Sequence, residues 1–168
     1  MTEAVDIIAV VLLLTLTLSI SIFDWKTMIM PDEANALVAA SGLLFSLLLP
    51  NPGWVDAVLG GVTGGVFAGM LRLYYFKYRG IQGLGLGDVK FIAAAGCWTG
   101  IAGLMPMLIL ASFTALSYCG LRLISGAKIT RATRLPFGPF LCVGLAVVVG
   151  IQIFTRQTIV EYLETMVP

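Results

Sequence analysis

Long apolar runs, rather than alternating or half-polar patterns, dominate this chain. The first extends from about Val5 to Phe23 and meets the ~20 predominantly apolar residues that a bilayer-crossing helix needs. The second, about Ala34 to Leu49, is short and ends at Pro50-Asn51-Pro52-Gly53, a strong turn signal. The third runs from about Trp54 to Phe76, and the fourth from near Val89 to the Gly100–Gly103 region. The fifth runs from about Gly103 to Leu123, with Pro106 in its first turn, where proline is tolerated. The sixth runs from about Phe137 to Thr155. The stretch from Val89 to Leu123 also reads as one long helix with a re-entrant piece, but two short spans fit its length better. The pattern therefore predicts an all-α, polytopic membrane protein of six transmembrane helices. No internal repeat, linker or low-complexity segment divides it, so residues 1–168 are expected to form one membrane-embedded domain.

Composition narrows the class further. Only 11% of the residues are charged and 59% are hydrophobic, against roughly 25% charged in soluble domains. A formal net charge of +1 leaves no electrostatic footprint for nucleic acid. The N-terminus, Met-Thr-Glu-Ala-Val-Asp, is acidic where a secretory signal would be basic. The first apolar run is therefore expected to be a retained helix. Cys97, Cys119 and Cys142 form no CxxC pair and the chain has no histidine. The cysteines read as small buried hydrophobes, and no metal or cofactor is expected.

The basic residues sort by side. Lys26 falls in the first connecting loop. Arg72, Lys77, Arg79 and Lys90 lie in or beside the third, and Arg122, Lys128, Arg131 and Arg134 in or beside the fifth. Nine of the ten basic residues thus share one face of a six-span frame, and only Arg156 falls on the other. The positive-inside rule places that face in the cytoplasm and both termini outside.

The third span carries Gly60, Gly61, Gly64, Gly65 and Gly69. These overlapping small-xxx-small patterns let helices approach closely in lipid, and Gly96 and Gly100 read the same way. Asp56, near the outer start of this span, suits a helix N-terminus.

The carboxylates on the basic face stand out. Asp24 follows the first span. Asp32 and Glu33 follow Pro31 and are placed to cap the second helix. Asp88 closes Gly83-Leu84-Gly85-Leu86-Gly87-Asp88. Glycines at alternate positions allow unusual backbone angles and the close approach of another chain. Two carboxylates near an apolar phase cannot both ionise easily and tend to share one proton. One can then take a proton from water while the other protonates a scissile carbonyl. That chemistry needs no Ser, Cys, His or metal. A lack of histidine also removes a Ser-His-Asp triad and an HExxH zinc site. Bland readings stand beside it: Asp88 capping the fourth helix or pairing with Lys90, and Asp24 pairing with Lys26. Gly83–Gly87 lacks the GxxxxGK[ST] spacing of a phosphate loop.

Three segments carry a family resemblance. Gly85-Leu86-Gly87-Asp88, followed by Val89-Lys90, resembles the GxGD element of intramembrane aspartyl proteases. Asp24-Trp25-Lys26-Thr27-Met28-Ile29-Met30-Pro31-Asp32 resembles the first aspartate motif of type IV prepilin peptidases. Pro136-Phe137-Gly138-Pro139-Phe140-Leu141 is similar to the entry to that family's last helix. The matches occur in family order over about Phe23 to Gly144. The resemblance implies six transmembrane helices in the bacterial inner membrane and an active site at its cytoplasmic surface. It implies Asp24 and Asp88 as catalytic aspartates, with Pro31, Gly85, Gly87 and Lys90 as supporting motif residues. The implied partners are the lipid bilayer and a prepilin or pseudopilin substrate, whose basic leader Asp32 and Glu33 could attract. The enzyme would cut just before the substrate's apolar helix.

Full-length bacterial members carry a cytoplasmic insertion, often with paired CxxC motifs, associated with N-methylation. This chain has neither, and so resembles the short, peptidase-only form found with tight-adherence or conjugative pilus systems. N-methylation is not expected of it. Met30 stands where the family often has Ile or Leu, a volume-conserving change. A rival reading, from another class, is a non-catalytic pilus-assembly factor or a proton-coupled transporter with functional carboxylates.

Overall fold

The computed structural model describes residues 2–49, 51–80, 83–126 and 135–157, with 162 and 165. Lys128, Arg131 and Arg134, counted above for orientation, lie outside them. The described residues form five helices and no strand: α1 (Thr2–Thr27), α2 (Asp32–Phe45), α3 (Trp54–Arg79), α4 (Leu86–Ile124) and α5 (Gly138–Thr155). The all-α architecture is as expected. Four helices (α1, α3, α4 and α5) are long and apolar enough to cross a membrane; six crossings are not seen. The second expected span stops at Phe45 instead of Leu49, because the chain tightens into a turn in which Leu48 N–H bonds the Phe45 carbonyl at 2.9 Å. With 14 residues, α2 is only ~21 Å long against a hydrocarbon core of ~30 Å.

The fourth and fifth expected spans form the two arms of α4. Gly100 breaks the helix at φ 65°, ψ −176°, a conformation open in practice only to glycine. A straight helix would separate Asp88 from Tyr118 by ~45 Å. Yet Asp88 lines a cavity with Asp24, and Trp25, next to Asp24, meets Tyr118 edge-on with ring centroids 5.6 Å apart. The two arms, 86–99 and 101–124, therefore fold back on each other at Gly100. The break leaves backbone groups that need partners in an apolar phase. Ile101 N–H donates to Asp56 Oδ1 at 3.2 Å, and the Thr99 carbonyl accepts from Gln152 Nε2 of α5 at 3.0 Å. Pro106 sits in the second turn of the new arm, not the first.

Small residues draw the helices together at Gly60, Gly61, Gly64, Gly65 and Gly96, as expected, whereas Gly69 faces open space and Gly100 serves the break in α4. Ala57, Gly60, Gly64 and Ala68 form the buried stripe of α3. It lies so close to α4 that a Cβ on Gly60 would come within 2.7 Å of the Gly100 carbonyl carbon, and one on Gly96 within 2.5 Å of that of Gly60. Trp98 Nε1 donates to the Val38 carbonyl at 2.8 Å and ties α4 to α2. Such interhelical hydrogen bonds average only about 0.6 kcal/mol in lipid, so close packing carries more of the association.

Helix α1 lies on α5 and α2. Its buried positions are Ala9, Leu13, Thr17, Ile20 and Asp24, spaced three or four apart on one face. Asp24 is the last step of that buried stripe, which is how a charged side chain at a helix end comes to point inward.

Candidate active site

Asp24 is 5% exposed. Its Oδ2 accepts the Gly138 N–H at 3.1 Å in a buried bond. Gly138 is the first residue of α5, so the carboxylate sits against the positive end of that helix. A Cβ on Gly138 would meet Asp24 Oδ2 at 2.5 Å and also strike the Met30 side chain. The chain leaves α1 through Met28 at φ 55°, a left-handed residue of the kind that ends helices. Beyond it Met30, 6% exposed, lodges between Gly138 and Gly87: a Cβ on Gly87 would lie 3.0 Å from Met30 Cβ.

Asp88 is the third residue of α4 and half-buried. Its Oδ2 accepts the Gly85 N–H at 3.2 Å, so the carboxylate does cap its helix. Gly85 itself has an ordinary extended backbone, φ −65° and ψ 150°, and Gly83 and Gly87 are not among the glycines with positive φ. The expected need for unusual angles in this segment is thus not met; the need is for room. A Cβ on Gly85 would stand 2.9 Å from Asp88 Oδ2. Arg72 of α3 donates to the Leu84 carbonyl and holds the loop from the other side.

Asp24 and Asp88 line one cavity of ≈ 300 Å³ together with Met28, Ile29, Met30, Asp32, Gly85, Leu86, Gly87 and Lys90. Lys90 does not pair with Asp88. It bridges to Asp32 at 2.6 Å, with both side chains largely exposed, linking α4 to α2 across the cavity rim. Lys26 makes no ion pair with Asp24 among the described residues. Pro31 is the N-cap of α2, which has no side-chain cap bond; Asp32 and Glu33 occupy its first turn. Pro31 and Glu33 lie outside the cavity lining. Among the described residues no cluster of His, Cys, Asp or Glu could hold a metal ion.

Of the candidates, Asp24, Asp88, Asp32, Gly85, Gly87 and Lys90 are therefore brought to one place. Gly138 and Met30 were not singled out by their chemistry. The Pro-Phe-Gly-Pro segment was the available signal, since its glycine abuts a carboxylate through a backbone N–H that residue type does not reveal.

The model of the type IV leader peptidase family matches residues 11–120, a stretch containing both aspartates. Among curated relatives, the leader peptidase HopD of Escherichia coli is 37% identical over 136 residues, covering 77% of this chain and 85% of its own. Its namesake in Salmonella typhimurium is 34% identical over 128 residues, covering 76% of this chain and 82% of its own. The prepilin leader peptidase/N-methyltransferase of Pectobacterium carotovorum subsp. carotovorum is 35% identical over 139 residues, covering 79% of this chain. The chain spans about half the length of that relative and of similarly named proteins from Aeromonas. No solved structure matches it.

Proposed function

Since the chain belongs to the type IV leader peptidase family, we propose that it is a membrane aspartic endopeptidase that removes the basic leader of type IV prepilins or pilin-like proteins. The observation that carries this reading is the meeting of Asp24 and Asp88, from helices far apart in sequence, at one cavity. One carboxylate, ionised, takes a proton from a water held between them. The other, protonated, gives its proton to the scissile carbonyl as the water oxygen attacks. The Gly138 and Gly85 N–H groups each occupy one oxygen of a carboxylate, leaving the other for water and substrate. A substrate bond in a helix is closed to attack, so the cut site must be unwound, and the glycine-rich approach to Asp88 leaves room for an extended strand.

Six helical segments result when α4 is counted as two arms. We read them as six crossings, the bilayer thinning locally around the short α2 and the 86–99 arm, with both termini outside and the aspartates at the cytoplasmic face, in line with the sorting of basic residues. Asp24→Asn and Asp88→Asn are each expected to lower cleavage by about 10²–10⁴-fold, the share a positioned acid or base supplies. A gel-shift assay of a co-expressed prepilin reads this, with membrane fractionation showing normal insertion. Full processing by either variant would sink the assignment.

A further inference from the structure

The connection between α1 and α2 covers only residues 28–31. Its apolar members are treated differently: Met28 and Ile29 are exposed, whereas Met30 is buried. Met30 meets the starts of two other helices. At α5, its side chain occupies the space that a Cβ on Gly138 would need, and the Gly138 N–H is the group that holds Asp24 Oδ2. At α4, a Cβ on Gly87 would stand 3.0 Å from Met30 Cβ and 3.5 Å from its backbone nitrogen, and the next residue is Asp88. One side chain thus packs against the residue that anchors one carboxylate and against the residue that precedes the other. Helix α1 packs on α5 and α2 and not along α4, so no shared helix face sets the distance between Asp24 and Asp88. The Asp32–Lys90 bridge ties the same two segments again at the exposed rim.

We propose that Met30 is a positioning residue whose thickness, wedged between Gly138 and Gly87, sets the separation of Asp24 and Asp88. The proposal rests on the peptidase reading above and adds a residue to it. Two carboxylates that work on one water must stand neither in contact nor a second water apart. Asp24 is fixed to α1 and to the start of α5, and Asp88 to the start of α4. What remains free is the spacing between those two helix starts. A packed interior resists compression, so a side chain lodged there acts as a spacer. The unbranched thioether chain suits the irregular gap between two glycine backbones. The same wedge explains why both neighbours lack a Cβ: a methyl group on either would press on Met30 and move a carboxylate.

Variants of the full chain, assayed in membranes against a purified prepilin, test it. Met30→Ala removes the spacer and is expected to lower kcat about 10²-fold, the cost of an ångström-scale misplacement, with KM held. Met30→Leu returns the volume and is expected to return kcat. Leu145→Ala truncates a buried side chain further along α5, outside the cavity lining. It is expected to lower the thermal midpoint in detergent, as Met30→Ala does, but to leave kcat at the wild-type value. Equal loss of kcat in both would make the effect one of general stability and overturn the proposal. So would wild-type kcat in Met30→Ala, or a raised KM with kcat held, which would make Met30 a wall for the substrate. Should Met30→Ala fail to fold, Met30→Val is expected to lower kcat in the same way but less, and wild-type kcat in it overturns the proposal. The spacing is also read without catalysis. With Cys97, Cys119 and Cys142 replaced by Ala, the Asp24→Cys/Asp88→Cys chain is treated with bis-methanethiosulfonate reagents of graded length. The span that links fastest is expected to shorten with Met30→Ala and to return with Met30→Leu. A span that does not shorten overturns the proposal. No cleavage by the wild-type chain, alongside the expected crosslinks, would strike instead at the peptidase reading.

Discussion

A backbone N–H can matter as much as a side chain, and Gly138 shows how. Its N–H holds Asp24 Oδ2 at 3.1 Å, and any Cβ there collides with the same oxygen. Gly138→Ala is therefore expected to push Asp24 away from the end of α5. Displacement on the ångström scale can cost about 10²-fold in rate. The loss is expected in kcat, with KM nearly unchanged and far-UV circular dichroism as in the wild type. Retention of wild-type kcat would mean that Asp24 is positioned by α1 alone. At this scale the sequence was half legible. Asp24 and Asp88 could be picked out because a carboxylate among apolar residues needs a reason. Met30 and Gly138 could not, because an apolar wedge and a missing Cβ look like ordinary packing until both neighbours are known. Lys90 was legible as a motif residue, but its partner, Asp32 of α2, depends on how the helices are set side by side.

The elements were legible where physics is local. Trp54 begins α3 directly after the Pro-Asn-Pro-Gly turn, and Thr155 ends α5, both as the apolar pattern predicts. The α4 fold-back was harder. The sequence marks a weak point between Gly100 and Gly103 but does not say whether the chain continues, stops or reverses there. The reversal depends on partners from elsewhere: Asp56 on α3 and Gln152 on α5 take up the groups freed on either side of Gly100. Gly100→Ala puts a side chain into a left-handed conformation and against the Asp56 carboxylate. Such strained positions cost about 1–3 kcal/mol, so a clear fall in the thermal midpoint is expected in detergent. Asp56→Ala, which removes the bond to the Ile101 N–H at this exposed end, is expected to destabilise by about 0.5–1.5 kcal/mol. The two sites share one contact, so the double variant should lose less than the sum. Strict additivity would show that Asp56 does not serve the fold-back.

Over the whole molecule, the scarce polar groups gather at two ends of an apolar bundle. At one end Arg156 pairs with Asp6 at 2.7 Å, and its carbonyl accepts from Asn51 Nδ2 at 2.8 Å. At the other stand Asp24, Asp32, Asp88 and Lys90 around the cavity. Geometry separates the ends, and the proposed topology, read from the distribution of basic residues, turns the aspartate end to the cytoplasm. Glu3, near the first end, and Glu33, beside the second, are both exposed and report the two sides. With native Cys119 replaced by Ser, a membrane-impermeant maleimide is expected to label Glu3→Cys in intact spheroplasts. Glu33→Cys is expected to react only after lysis. The opposite pattern would turn the protein over, place the aspartates outside and overturn the proposed orientation. Labelling of both from one side would contradict the separation of the two ends. The expected result makes Asp24 and Asp88 reachable from the cytoplasm, as the proposed removal of a leader requires. On the proposed reading, a substrate unwound at the aspartates would have its apolar helix already in the bilayer, so cleavage would require no apolar surface to pass through water.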